Sequence, residues 1–202
     1  MPEAGCRRPD AWVVCRSVDA YLDAVLIGGR ERRRIVVAAY DPAWPGRFSS
    51  VAHRVVGALG ADALSVEHVG STSVPGLAAK PIVDVLLTVL AVEDEAAYVP
   101  RLEAAGLVLR VREPGHRMLR TPERDVHLHV HEPDHPEVAA MRDLRDWLRV
   151  SPQDRELYAA TKRSLAEHDW PDMNHYAVAK SDVVQAVLGR ARQWRAAGSP
   201  LP

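Results

Sequence analysis

The sequence predicts an α+β fold, a mixed β-sheet with flanking helices and a helical C-terminal third, on three observations. Segments with strand and helix character alternate up to His131, and the remainder has helical spacing. The run Ile82 to Val89 is apolar on both faces apart from Asp84, as expected of a central strand covered on both sides. Short apolar runs nearby are punctuated by Pro114-Gly115 and Thr121-Pro122, which supply turns.

The elements follow in order. Met1 to Asp10 is polar, with two prolines, and is expected to be mobile. Ser17 to Ile27 reads as a short helix capped by Ser17, with Val18, Tyr21, Leu22 and Val25 on one side and Gly28-Gly29 as its stop. The Arg30 to Arg34 stretch reads as a solvated linker. Residues 1–34 thus form an N-terminal extension with few apolar side chains, expected to be dispensable for folding, and 35–202 form the domain. Ile35 to Ala39 reads as an edge strand, and Arg47 to Leu59 has helical spacing at Phe48, Val51, Val55 and Leu59. Leu64 to Val69 and Ile82 to Val89 are strands, Ala96 to Ala105 is a helix, and Leu107 to Val111, Arg117 to Arg120 and Val126 to His131 are three further strands. Helices then cover Pro136 to Leu148, Pro152 to His168 and His175 to Trp194, with Ser151-Pro152 as a strong helix start.

A chain of 202 residues with 47% hydrophobic residues and a formal net charge of −1 reads as a soluble globular domain with a real core. Near-neutral charge argues against general binding to nucleic acid or acidic membranes. The chain lacks an apolar run long enough to span a bilayer and a signal-peptide pattern at its start, so a cytoplasmic location is expected. Cys6 and Cys15 lie in the N-terminal tail and suggest neither a disulfide framework nor a zinc site.

The residues that carry chemistry cluster. Gly70-Ser71-Thr72-Ser73 offers backbone N–H groups and three hydroxyls, suited to holding phosphate oxygens. Asp84 follows, with twelve residues between it and Ser71, on the apolar strand; a buried aspartate there needs a partner. His127, His129 and His131 alternate with Val126, Leu128 and Val130, which puts the imidazoles on one strand face and the aliphatics toward the core. Two readings stand for His127 and His129: ligands of a transition metal together with Asp84, or a polar face bonded to phosphates and neighbours. Lys80, Arg117, Arg120 and Lys162 are cations suited to an anionic ligand; Tyr158 and Lys162 share a helix face at i, i+4. Trp44, Trp147 and Trp170 read as packing residues, and Arg145-Asp146 as a structural ion pair. Neither a Gly-x-Ser-x-Gly element nor a P-loop occurs.

The stretch HVGSTSVPGLAAKPIVDV at 68 to 85 resembles the signature of the GrpB family. DPAWPGRF at 41 to 48, HLHV at 127 to 130, LRDWL at 144 to 148 and YAATKRSLAE at 158 to 167 continue the resemblance in order, over residues 35 to 194. The resemblance implies a nucleotidyltransferase-like fold, in which a Gly-Ser turn precedes a strand bearing two acids and a neighbouring strand adds a third. Here Leu86 stands where the second acid belongs. The expected site has Gly70, Ser71, Thr72, Ser73, His68, Arg120, Lys162 and Lys180 on nucleotide. Asp84, His127 and His129 would hold a divalent metal (Mg, Mn or Zn), and Asp84, Lys80 and Arg117 would carry catalysis. The resemblance implies use of ATP or a related triphosphate on a small acceptor, with carboxylate adenylation and amide formation as one version. The alternatives are a non-catalytic ligand-binding or scaffold module with a degenerate site, related to the domain fused to some dephospho-CoA kinases, and a metal-dependent hydrolase.

Overall fold

A computed structural model describes residues 18–198; the N-terminal tail with both cysteines and Ser17 lies outside the described residues. Five strands form one sheet in the order β1-β2-β5-β4-β3: β1 Ser65–Val69, β2 Val83–Thr88, β3 Val108–Glu113, β4 His116–Arg120 and β5 Val126–His131. Only the β2–β5 pair is parallel; β1–β2, β4–β5 and β3–β4 are antiparallel, so the sheet is mixed. The apolar strand is central, as its sequence requires.

The helices are α1 Val18–Val25, α2 Trp44–Leu59, α3 Val99–Ala104, α4 Pro136–Val150, α5 Pro152–Ala166, α6 Met173–Ala179 and α7 Ser181–Ala196. Proline in the first turn starts α2, α4 and α5, and the Ser151 hydroxyl accepts from the Asp154 N–H at 3.3 Å to cap α5. Alternation divides the central strands. Val83, Val85, Leu87, Leu128 and Val130 pack with Trp44, Val51 and Val55 of α2 and Leu102 of α3. Asp84, Leu86, His127 and His129 face the other way, toward α4 and the helices beyond it. A second apolar cluster, with Val74, Leu77, Leu148, Tyr158 and Val187, ties the loop after β1 to α4, α5 and α7.

Three elements differ from the sequence expectation. Ile35 to Ala39 forms no strand; Ala38 makes an isolated bridge to Ala79. The expected helix from His175 to Trp194 is broken at Lys180, where φ −93 and ψ 2 end α6 before α7 begins. The Ala96 to Ala105 segment starts as a 3-10 turn and becomes α-helical only at Val99. The expected N-terminal helix forms and docks on the sheet edge. Leu22 is buried, Leu26 bridges Val111, and the Ile27 N–H donates to the Arg110 carbonyl at 2.9 Å.

Candidate functional site

The parallel register of β2 and β5 sets Asp84 opposite His127 and Leu86 opposite His129. Asp84 Oδ1 lies 3.7 Å from His127 Nδ1 and 3.7 Å from His129 Nε2. These separations exceed a direct hydrogen bond. They suit a cation held between the groups, since metal–ligand distances of about 2.1 Å leave ligand atoms roughly 3–4 Å apart. One ligand atom from each residue lies within 4.8 Å of the other two. Two imidazoles and a carboxylate form a donor set suited to Mn²⁺, Fe²⁺ or Zn²⁺ more than to Mg²⁺. Burial pushes the His127 imidazole down to about 4, against the pull of Asp84, so it is neutral with a free lone pair. Burial alone would raise the Asp84 carboxyl, but His129, His127 and Lys80 outweigh it and hold the group below its usual value.

The turn after β1 abuts this acid. Gly70 has φ 67 and ψ −172, and a Cβ there would lie 2.3 Å from Asp84 Oδ2, so the backbone passes where no side chain fits. Lys162 on α5 reaches over the turn. Its Nζ donates to Ser71 Oγ at 3.0 Å and to the Ala78 carbonyl, and sits 4.4 Å from the centre of the Tyr158 ring. Lys80 and Lys180 flank the Tyr176 ring at 5.2 and 5.6 Å. Burial, then repulsion from Lys180, lowers Lys162 to about 7 and Lys80 to about 8; Lys180 is raised, chiefly by Tyr158. Three cationic side chains gathered near one carboxylate offer charge suited to an anion.

His129 is held from behind. Its Nδ1 lies 3.1 Å from His116 Nε2, and His116 Nδ1 lies 2.5 Å from Glu113 Oε1. The carboxylate requires a proton on His116 Nδ1, which leaves Nε2 of a neutral His116 as an acceptor. His129 then donates from Nδ1 and presents the lone pair of Nε2 to the Asp84 side. This is the carboxylate–imidazole support usual behind metal-binding histidines. The Tyr21 hydroxyl of α1 donates to the other Glu113 oxygen. These groups line a cavity of about 410 Å³ between the sheet, α1, α4, α5 and α6.

Gly70, Ser71, Lys80, Asp84, His127, His129, Lys162 and Lys180 all line the cavity. Other expected site residues do not. Arg117 is on the opposite sheet face, paired in register with Val130, 4% exposed and bound to Glu93 and Glu95. It is a core-side ion pair and not a catalytic group of this cavity. Arg120 shares the histidine face but is taken by Glu31 at 2.7 and 3.1 Å. The Thr72 and Ser73 hydroxyls turn inward, Thr72 to His68 Nε2 at 3.0 Å and Ser73 to the Gly70 carbonyl at 2.6 Å. His68 lies beneath the turn, stacked on Phe48 with ring centres 4.8 Å apart, and burial lowers it to about 4. These three residues brace the turn and leave ligand contact to Gly70 and Ser71. His131 is buried behind Gly115, and its Nδ1 lies 2.9 Å from that carbonyl. The tryptophans Trp44, Trp147 and Trp170 stay out of the cavity, and Arg145 pairs with Asp146 at 2.7 Å.

Sequence reasoning missed Glu113, Met118, Met141 and the α1 residues. The first two were within reach. The Pro114-Gly115 turn sets Glu113 opposite His116, and two-residue alternation then carries Met118 to the same face. For Met141 and α1 no local signal exists, because their contacts depend on tertiary docking.

A mixed five-stranded sheet with an acid on its central strand, two imidazoles on the parallel neighbour and lysines over a glycine turn defines an α+β domain with one composite polar site. The particular family follows from comparison. The model of the family described as GrpB protein matches residues 34–190, and the chain belongs to that family. It is 50% identical to a UPF0157 protein of Halalkalibacterium halodurans over 160 residues, 78% of this chain and 82% of that protein. It is 48% identical to a UPF0157 protein of Streptomyces coelicolor over 188 residues, 93% of this chain and 95% of the relative. A protein named dephospho-CoA kinase from Mycolicibacterium paratuberculosis is 32% identical over 183 residues, which cover 76% of this chain but only 45% of that protein. The crystal structure of the conserved protein GrpB from Enterococcus faecalis superposes with a TM-score of 0.69 at 31% identity, covering 79% of this chain and 99% of that one.

Proposed function

We propose that this chain is a metal-dependent, nucleotide-using enzyme that activates or modifies a small acceptor. One observation carries the reading: the ligand atoms of Asp84, His127 and His129 converge to within 4.8 Å beside a glycine turn covered by lysines. A divalent metal on these three residues supplies charge neutralisation for a triphosphate. The Gly70-Ser71 turn, Lys162, Lys80 and Lys180 hold phosphate oxygens and stabilise charge that develops on them. The chemistry is nucleotidyl transfer. An acceptor oxygen attacks the α-phosphorus, the bond to the bridging oxygen breaks, and pyrophosphate leaves. With a carboxylate acceptor the product is an acyl adenylate, which an amine converts to an amide with release of the nucleoside monophosphate. The relatives named dephospho-CoA kinase support a nucleotide-linked setting, although this chain matches less than half of the one described.

Leu86 favours a second reading, a binding module without turnover. It occupies the position of the second acid, is fully buried, and packs with Val69 and Val138. Calorimetric titration of ATP with Mn²⁺ tests the site, and a pyrophosphate-release assay separates the two readings. Asp84→Asn should weaken binding at least about tenfold with the fold intact, because Asn keeps the shape and loses the charge a metal needs. Pyrophosphate release with a suitable acceptor supports the enzyme, and binding without release supports the module. Equal affinity in both proteins removes Asp84 from the site.

A further inference from the structure

Apolar side chains share this cavity with its polar groups. The chain has four methionines, and all three after Met1 line this one cavity: Met118, Met141 and Met173. They come from β4, α4 and α6, elements far apart in sequence. Each is only partly buried. Met118 is paired in register with His129 and so stands on the same face, beside the imidazole–carboxylate cluster. Leu22 and Leu26 add a wall on the side of Val111, the register partner of Met118. This wall is fixed in place by the Leu26–Val111 bridge and by the Arg110 guanidinium, which donates to the Ile27 and Gly29 carbonyls. It belongs to a segment before residue 34, where the family match begins.

Partly exposed apolar side chains facing one enclosed space are suited to covering by an apolar ligand. Methionine is unbranched and polarizable, so a methionine wall adapts to a flexible chain. A nucleobase would need donors and acceptors along its edge. Asn174 and Tyr21 of the same lining carry such groups, so adenosine is the competing occupant that the test includes. Lys80, Lys162 and Lys180 line the same cavity and suit an anionic head.

We propose that the methionines and leucines lining this cavity bind the aliphatic tail of the acceptor, which is a medium-chain carboxylate with its head toward the lysines. This rests on the reading above for the acceptor's role and on the cavity alone for its chemistry. The test uses protein labelled with ¹³C at the methionine methyls, without nucleotide or metal, titrated with octanoate, butyrate and adenosine. Octanoate should shift the methyls of Met118, Met141 and Met173 and leave Met1 unmoved, binding at least about tenfold tighter than butyrate, since each added methylene favours burial. Leu22→Asn should weaken octanoate and leave sulfate binding at the lysines unchanged. Butyrate as tight as octanoate, adenosine shifting the same methyls as strongly, or no shift at all would overturn the proposal. Because nucleotide and metal are absent, failure of nucleotide binding leaves the methionine result standing, and the reverse also holds.

Discussion

Asp84 is a carboxylate on the most apolar strand of the chain, and its neighbours explain why it is tolerated there. Burial would raise its carboxyl, and the His129 and His127 imidazoles in their protonated form, with the Lys80 ammonium, oppose that rise. Its position depends in turn on Gly70. An alanine at Gly70 would combine a strained backbone, about 1–3 kcal/mol, with a Cβ placed 2.3 Å from the carboxylate. Gly70→Ala should therefore lower thermal stability and also displace Asp84, so that metal affinity falls further than the loss of fold explains; thermal melts and Mn²⁺ titration below the melting range measure both effects. Asp84, Gly70, Ser71 and the two histidines were legible because signature and strand alternation fix them locally. Arg117 was misplaced, although alternation along β4 already sets it on the face opposite His116 and Met118.

At the level of elements, the site is assembled from pieces that bring one chemistry each. The strand β5 brings imidazoles on one face while its aliphatics fill the core, and this was readable from the period of two. The end of α5 brings Lys162, the loop before β2 brings Lys80, and the break between α6 and α7 brings Lys180. That break was hidden because the apolar spacing runs on through it from His175 to Trp194. The gathered lysines make anion binding pH-dependent. Anions bind the protonated amines, and Lys162 and Lys80 lose their protons near pH 7 and 8. Affinity should thus be greatest below about pH 7 and fall roughly tenfold by about pH 9. Sulfate, whose own charge is constant over that range, is the probe, and calorimetry across the range is the measurement. A flat profile would mean that these lysines do not contact the anion.

For the whole molecule, the mixed sheet and helical cover follow from the order of strand and helix signals, and the match to the GrpB family bears out the resemblance of the 68 to 85 stretch. The docking of α1 on β3 was not legible. A short segment with a single buried leucine gives no indication of which surface it will meet, and the contact is made by backbone bridging and an arginine 80 or more residues away. The domain therefore reads as a family core with a site at the centre of its sheet, and a wall added from the N-terminal side. The central claim is that β2 and β5 together form a metal site within that core. Its most direct measurement is Mn²⁺ binding, by calorimetry or electron paramagnetic resonance, to the full chain and to His127→Ala/His129→Ala. Both histidines stand in the cavity, so the double variant should fold and melt cooperatively while Mn²⁺ affinity drops at least about a hundredfold, with two of three protein ligands gone. A double variant that binds Mn²⁺ as tightly as the parent protein would contradict the claim.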